Sequence, residues 1–104
     1  MSAQPFDDVV SSSEPVRVAL SGEIDCATAP MARARLLAAV RDHPGRECVV
    51  NMSEVTFLDC SGIGVLVDAR EEARSTGGFL RLAEVGPGPQ RILTLVGMDA
   101  PDFV

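Results

Sequence analysis

Apolar residues along the chain follow two rhythms, and the switching between them is the first structural signal. Val16-Arg17-Val18-Ala19-Leu20 alternates with the period of a strand. Gly22 marks a bulge or bend, and Glu23-Ile24-Asp25 continues the extended path. From Ala29 to Val40 the rhythm becomes helical. Ala29, Ala32, Leu36 and Val40 line one face with Leu37 beside them, while Arg33, Arg35 and Arg41 point away. Thr28 or a neighbour is placed to cap this helix, Pro30 suits its first turn, and Asp42-His43-Pro44-Gly45 stops it.

Cys48-Val49-Val50-Asn51-Met52 is almost continuously apolar, the mark of a strand covered on both faces in a parallel sheet. A second helix is expected from about Ser61 to Ser75, ended by Thr76-Gly77-Gly78. Phe79-Leu80-Arg81-Leu82-Ala83 reads as another buried strand. Gly86-Pro87-Gly88-Pro89 reads as a turn, and Gln90 to Val96 as a short helix carrying Ile92, Leu93 and Val96 inward. Phe6 to Val10 is a candidate edge strand with Ser11-Ser12-Ser13-Glu14-Pro15 as its turn, and Ala100 to Val104 a candidate last strand. Residues 1–5 are expected to be loose. The order predicts one α/β domain over residues 1–104: a mixed, mostly parallel sheet of four to five strands with helices packed against it through right-handed crossovers.

Charge and composition narrow the function. The 104 residues carry a net charge of −6, with nine arginines and no lysine. Nucleic-acid affinity rests on clustered Lys and Arg, and these arginines are scattered. Neither nucleic acid nor an anionic membrane is expected as partner; another protein is. No apolar run approaches a membrane span. Met1 to Asp8 is acidic and lacks the basic and apolar regions of a signal peptide, so a cytoplasmic location is expected. Cys26, Cys48 and Cys60 are an odd set without Cys-x-x-Cys, and His43 is the sole histidine, so neither a disulfide framework nor a zinc site is expected. No cofactor, metal or catalytic residue is predicted, and the chain reads as a non-enzyme.

The candidate chemistry sits at Asp59-Cys60-Ser61-Gly62, where Ile63, Leu66 and Val67 continue at helical spacing. A helix start presents unpaired N–H groups and partial positive charge, a resting place for phosphate. A serine there is either a switch for a kinase or only a helix cap. Asp59 is either part of a docking site or only a capping acid. Gly62 and Gly64 are costly in a helix; close approach of a partner explains Gly62, and packing explains Gly64. Cys60 is either a reactive thiol or a serine-sized residue without chemistry.

Two stretches resemble the STAS domain, shared by bacterial anti-sigma factor antagonists and the cytoplasmic tails of sulfate transporters. Leu20-Ser21-Gly22-Glu23-Ile24-Asp25 with Ala29-Pro30 is similar to the family's Gly-Glu-Leu-Asp strand and first helix start. Val55 to Leu66 is similar to its phosphorylation segment, usually Asp-Ser-Ser/Thr-Gly-Leu-Gly, and Gly97-Met98-Asp99 to the Gly-Leu-Asp after the third helix. The resemblance implies partner switching. The antagonist binds an anti-sigma factor, often a serine kinase, and frees a sigma factor; phosphorylation ends the complex and a phosphatase restores it. It implies a partner-binding surface at Asp25, Asp59, Cys60, Ser61, Gly62 and Ile63, on a monomer or weak homodimer. The family's acceptor is the first hydroxyl residue after the Asp, and here that position is Cys60. Either Ser61 accepts the phosphate or the protein binds constitutively. Many relatives also continue into a last helix, which the end at Val104 leaves absent or donated by a partner. Two other functions stay open: a nucleotide- or small-molecule-sensing STAS domain, and a thiol-based redox sensor at Cys60.

Overall fold

The computed structural model describes residues 14–98. Strand β1 (Val16–Ile24) is followed by helix α1 (Ala29–Asp42), strand β2 (Glu47–Leu58), helix α2 (Cys60–Ser75), strand β3 (Phe79–Ala83) and helix α3 (Pro87–Leu95). The strands form one sheet in the order β1-β2-β3, and both pairings are parallel. The candidate strands at residues 6–10 and 100–104, the loose residues 1–5, and Asp99 of the third matching stretch lie outside the described residues. The sheet therefore counts three strands among the described residues.

The apolar run predicted for the sheet centre is the central strand. Cys48, Val49, Val50 and Met52 are all buried. β2 runs further than the apolar run alone indicates, on to Leu58, because Val55 and Leu58 still reach the core after Ser53 and Glu54 turn outward. The crossovers β1–α1–β2 and β2–α2–β3 step the same way across the sheet, and right-handedness places both helices on one face. That face meets Ala32, Leu36 and Val40 from α1, and Leu66, Ala69 and Ala73 from α2.

Gly22 holds φ +75°, a left-handed conformation open to glycine without a Cβ penalty. The β1–β2 register slips on both sides of it, between Ala19 and Ser21 and between Gly22 and Glu23. Each slip places one extra residue in β2, so Val55 and Leu58 return to the core after Met52 while Val18, Leu20 and Ile24 keep the simple alternation of β1. The bulge also brings Ile24 level with Leu58, so β1 and β2 end side by side.

Two local expectations change. Gly86-Pro87-Gly88-Pro89 is not a separate turn: Pro87 opens α3, since its fixed φ fits a first helical position. α3 buries Pro89 and Leu93 and half-buries Ile92, but Val96 lies beyond its end and is exposed. Gly97, at φ +82°, turns the chain so that the Met98 amide donates to Leu93 O at 2.7 Å, and Met98 packs on the core in place of Val96.

Candidate functional site

The aligned ends of β1 and β2 start both helices at one place. Asp25 and Asp59 each follow a strand end, and the Asp59 amide donates to Ile24 O at 3.3 Å. Asp59 alone separates β2 from α2. Its backbone is extended, and its Oδ1 accepts from the amides of Ser61 (2.8 Å) and Gly62 (3.3 Å). Asp59 is thus the cap of α2, and Ser61 is not. Among the described residues the Ser61 hydroxyl has no hydrogen-bond partner.

Asp25 organises the other helix start in the same way. Its Oδ1 accepts from the amides of Ala27 (2.9 Å) and Thr28 (3.1 Å), and its carbonyl accepts from Ala29 N at 2.7 Å. These donors, the Thr28 amide first and the Ala27 amide next, hold the Asp25 carboxyl below the usual carboxylate range. Thr28 stands at the cap position of α1 without capping it. Its hydroxyl turns back to β1, donating to Glu23 O at 2.6 Å and accepting from Asp25 N at 3.0 Å.

A groove of about 340 Å³ lies between the first turns of the two helices. Cys26 and Pro30 line it from the α1 side, and Cys60, Ser61 and Gly64 from the α2 side. Cys60 is exposed and Ser61 half-buried. Arg33 of α1 pairs with Asp68 of α2 along the groove, an exposed pair worth about 0–1 kcal/mol. Beside this site, Met31 leaves 76% of its surface in solvent.

Of the six expected docking residues, Asp25, Asp59, Cys60 and Ser61 reach the surface around this junction. Gly62 and Ile63 do not: Gly62 is buried, and Ile63, 8% exposed, joins the core. The packing expected of Gly64 falls to Gly62 instead. A Cβ on Gly62 would overlap Leu58 Cδ1 and come within 3.0 Å of Ile24 Cγ2 and 3.1 Å of Ile24 O. Packing beneath the helix therefore requires glycine there. Gly64 is exposed, with nothing within 4 Å of a Cβ, and it leaves the groove open.

The free-amide reading of the α2 start also changes. Asp59 already occupies the Ser61 and Gly62 amides, so an incoming phosphate would have to displace a carboxylate. His43 sits at the far end of α1, about 20 Å along a helix of this length from its start. Its Nδ1 donates to Ala39 O at 2.9 Å, so it is not poised to activate Cys60. Burial raises the Cys48 thiol and leaves it as core. Among the described residues no group of three His, Cys, Asp or Glu side chains is arranged for a metal ion, and no helix is long and apolar enough to cross a membrane.

Cys26, Arg33 and Asp68 are groove residues that sequence reasoning did not single out as site residues. Arg33 and Asp68 sit on the exposed faces of separate helices, and only the packing of α1 on α2 pairs them.

The STAS domain model matches residues 8–101. The anti-sigma F factor antagonist of Paenibacillus polymyxa is 30% identical over 81 residues, covering 78% of this chain and 69% of that protein. The anti-sigma-B factor antagonist of Bacillus subtilis is 26% identical over 91 residues, covering 88% and 82%. Among solved structures, an anti-sigma factor antagonist from Mycobacterium paratuberculosis superposes with a TM-score of 0.64 at 34% identity, covering 78% of this chain and 68% of the other. The unphosphorylated form of the anti-sigma factor antagonist SpoIIAA superposes with a TM-score of 0.69 at 23% identity, covering 82% and 74%, a likeness of fold.

Proposed function

The chain belongs to the STAS domain family, and from that membership we propose that it is a cytoplasmic anti-sigma factor antagonist. It acts by binding, without catalysis. It docks on an anti-sigma factor through the junction of the α1 and α2 starts and so releases a sigma factor. The partner is an anti-sigma factor of the serine-kinase type, and Ser61 is the residue it phosphorylates.

The observation that supports this most is the state of Ser61. Its hydroxyl lines the groove and serves no cap, so it is available for modification without loss of a structural hydrogen bond. Phosphorylation would add about −1.5 to −2 charges. Asp59 already takes the nearby amides, and Asp68 lines the same groove. The added charge therefore meets two carboxylates and, as a cation in the groove, Arg33, which Asp68 already engages. Pressed into a partner interface, a poorly paired charge costs about 2–5 kcal/mol, or roughly thirty-fold to several thousand-fold in affinity.

The test is incubation with a kinase-type anti-sigma factor and ATP, followed by intact mass and peptide mapping. One phosphate is expected on the peptide containing Ser61, and none on Ser61→Ala. Ser61→Asp is expected to bind the anti-sigma factor at least thirty-fold more weakly than Ser61→Ala. Stable binding without phosphate transfer would leave the docking role and end the switch. Absence of binding to any anti-sigma factor of the same cell would end both.

A further inference from the structure

We propose that Cys26 and Cys60 form a modification site: a dithiol that a peroxide oxidises to an intramolecular disulfide across the groove between the α1 and α2 starts. The chemistry stands on its own geometry; only its consequence for binding rests on the docking role proposed above.

Three observations meet here. Ile24 and Leu58 are register partners at the ends of adjacent parallel strands, and each cysteine lies two residues beyond its partner. Strands of one sheet run about 4.8 Å apart, and a disulfide spans about 4.4–6.8 Å between Cα atoms. Ile24 and Leu58 therefore leave the sheet at a spacing that a bridge can span, and the hydrogen bond from Asp59 N to Ile24 O ties the two exits together. Both thiols then line the same groove and both are exposed and free. The third cysteine, Cys48, is buried in β2 and takes no part.

The reaction balances with hydrogen peroxide as oxidant. One thiolate attacks a peroxide oxygen and displaces hydroxide, leaving a sulfenic acid. The second thiol attacks that sulfur, and the hydroxyl leaves as water. Two thiols lose two electrons and two protons, and one peroxide becomes two waters. The product joins the turn before α1 to the first turn of α2 at the mouth of the groove, beside Ser61. It narrows the groove and removes Cys60 as a free surface side chain, so docking weakens.

The experiment treats the full chain with hydrogen peroxide under non-denaturing conditions, then unfolds it and blocks free thiols. The expected product is a monomer lighter by two hydrogens, with one blocked thiol at Cys48 and the peptides of Cys26 and Cys60 joined. Dithiothreitol reverses it. In Cys26→Ser the same treatment is expected to leave Cys60 as higher oxygen adducts. Oxygen adducts on the wild-type chain without joined peptides, or a covalent dimer through Cys60, would overturn the proposal. Affinity for the anti-sigma factor is then compared before and after oxidation, with a loss of tenfold or more expected and restored by reduction. Because the mass readout needs no partner, a disulfide without an effect on binding refutes the consequence alone. Absence of the disulfide leaves the docking role intact.

Discussion

Gly62 and Gly64 are two residues apart in one helix, and substituting each with alanine should move stability in opposite directions. The methyl of Gly62→Ala lands on Leu58 Cδ1, and it also approaches the Ile24 side chain and carbonyl. Leu58 is 1% exposed and Ile24 3%, so neither side chain has open space to retreat into. The Ile24 carbonyl is held by the Asp59 amide. Overpacking of this kind costs about 1–3 kcal/mol. Alanine in place of glycine in a helix returns about 0.5–1 kcal/mol, so the net loss is about 0.5–2 kcal/mol. At Gly64 nothing lies within 4 Å of the new methyl, and the same return stands unopposed as a gain of about 0.5–1 kcal/mol. The two variants should therefore differ by about 1–3 kcal/mol. The chain has no Trp or Tyr, so urea unfolding followed by far-ultraviolet circular dichroism is the suitable assay. Equal stabilities for the two variants, or a Gly62→Ala protein no weaker than wild type, would refute the packing account of the α2 start. Gly64 lines the groove, so its alanine variant should also bind the anti-sigma factor more weakly despite its added stability.

Asp59→Ala should cost about 1 kcal/mol by stripping the cap from α2. Ser61→Ala should stay within about 0.5 kcal/mol of wild type in the same urea titration, because its hydroxyl caps nothing. Asp25 favours its carboxylate form when folded, because the Thr28 and Ala27 amides donate to it. Its folded pKa is depressed, so its stabilising contribution is present above the unfolded value of about 3.9 and is lost as pH falls through the lower folded value. Urea midpoints of wild type and Asp25→Asn should therefore converge below about pH 4, and a constant gap down to the acid limit would contradict this. Iodoacetamide should label Cys26 and Cys60 in the native protein and reach Cys48 only on unfolding, as peptide mapping of a time course would show.

The paired first turns form a site that neither helix holds alone. Asp25 and Asp59 play the same part at two helix starts, each carboxylate accepting from the amides two and three residues on. Both acids are thereby committed to the fold, and the groove between them keeps its hydroxyl and thiols uncommitted. The docking and modification proposed for Ser61, Cys26 and Cys60 would leave both helix caps closed.

Much of this was legible in the residues. The α/β order, the buried run Cys48 to Met52 as the central strand, the bulge at Gly22 and the inner face Ala32, Leu36 and Val40 all follow from local periodicity and backbone preference. Those signals live within a few residues of chain, and so they survive reading without coordinates. Three things did not. Gly62 packs while Gly64 stands open; Ile63 turns inward; and Cys26 faces the same groove as Cys60. Each depends on the register that sets Ile24 against Leu58, a contact between segments far apart in sequence. A slip of one residue in a strand reverses every side chain it carries, and local preference contains no term for which strand end a helix start will meet.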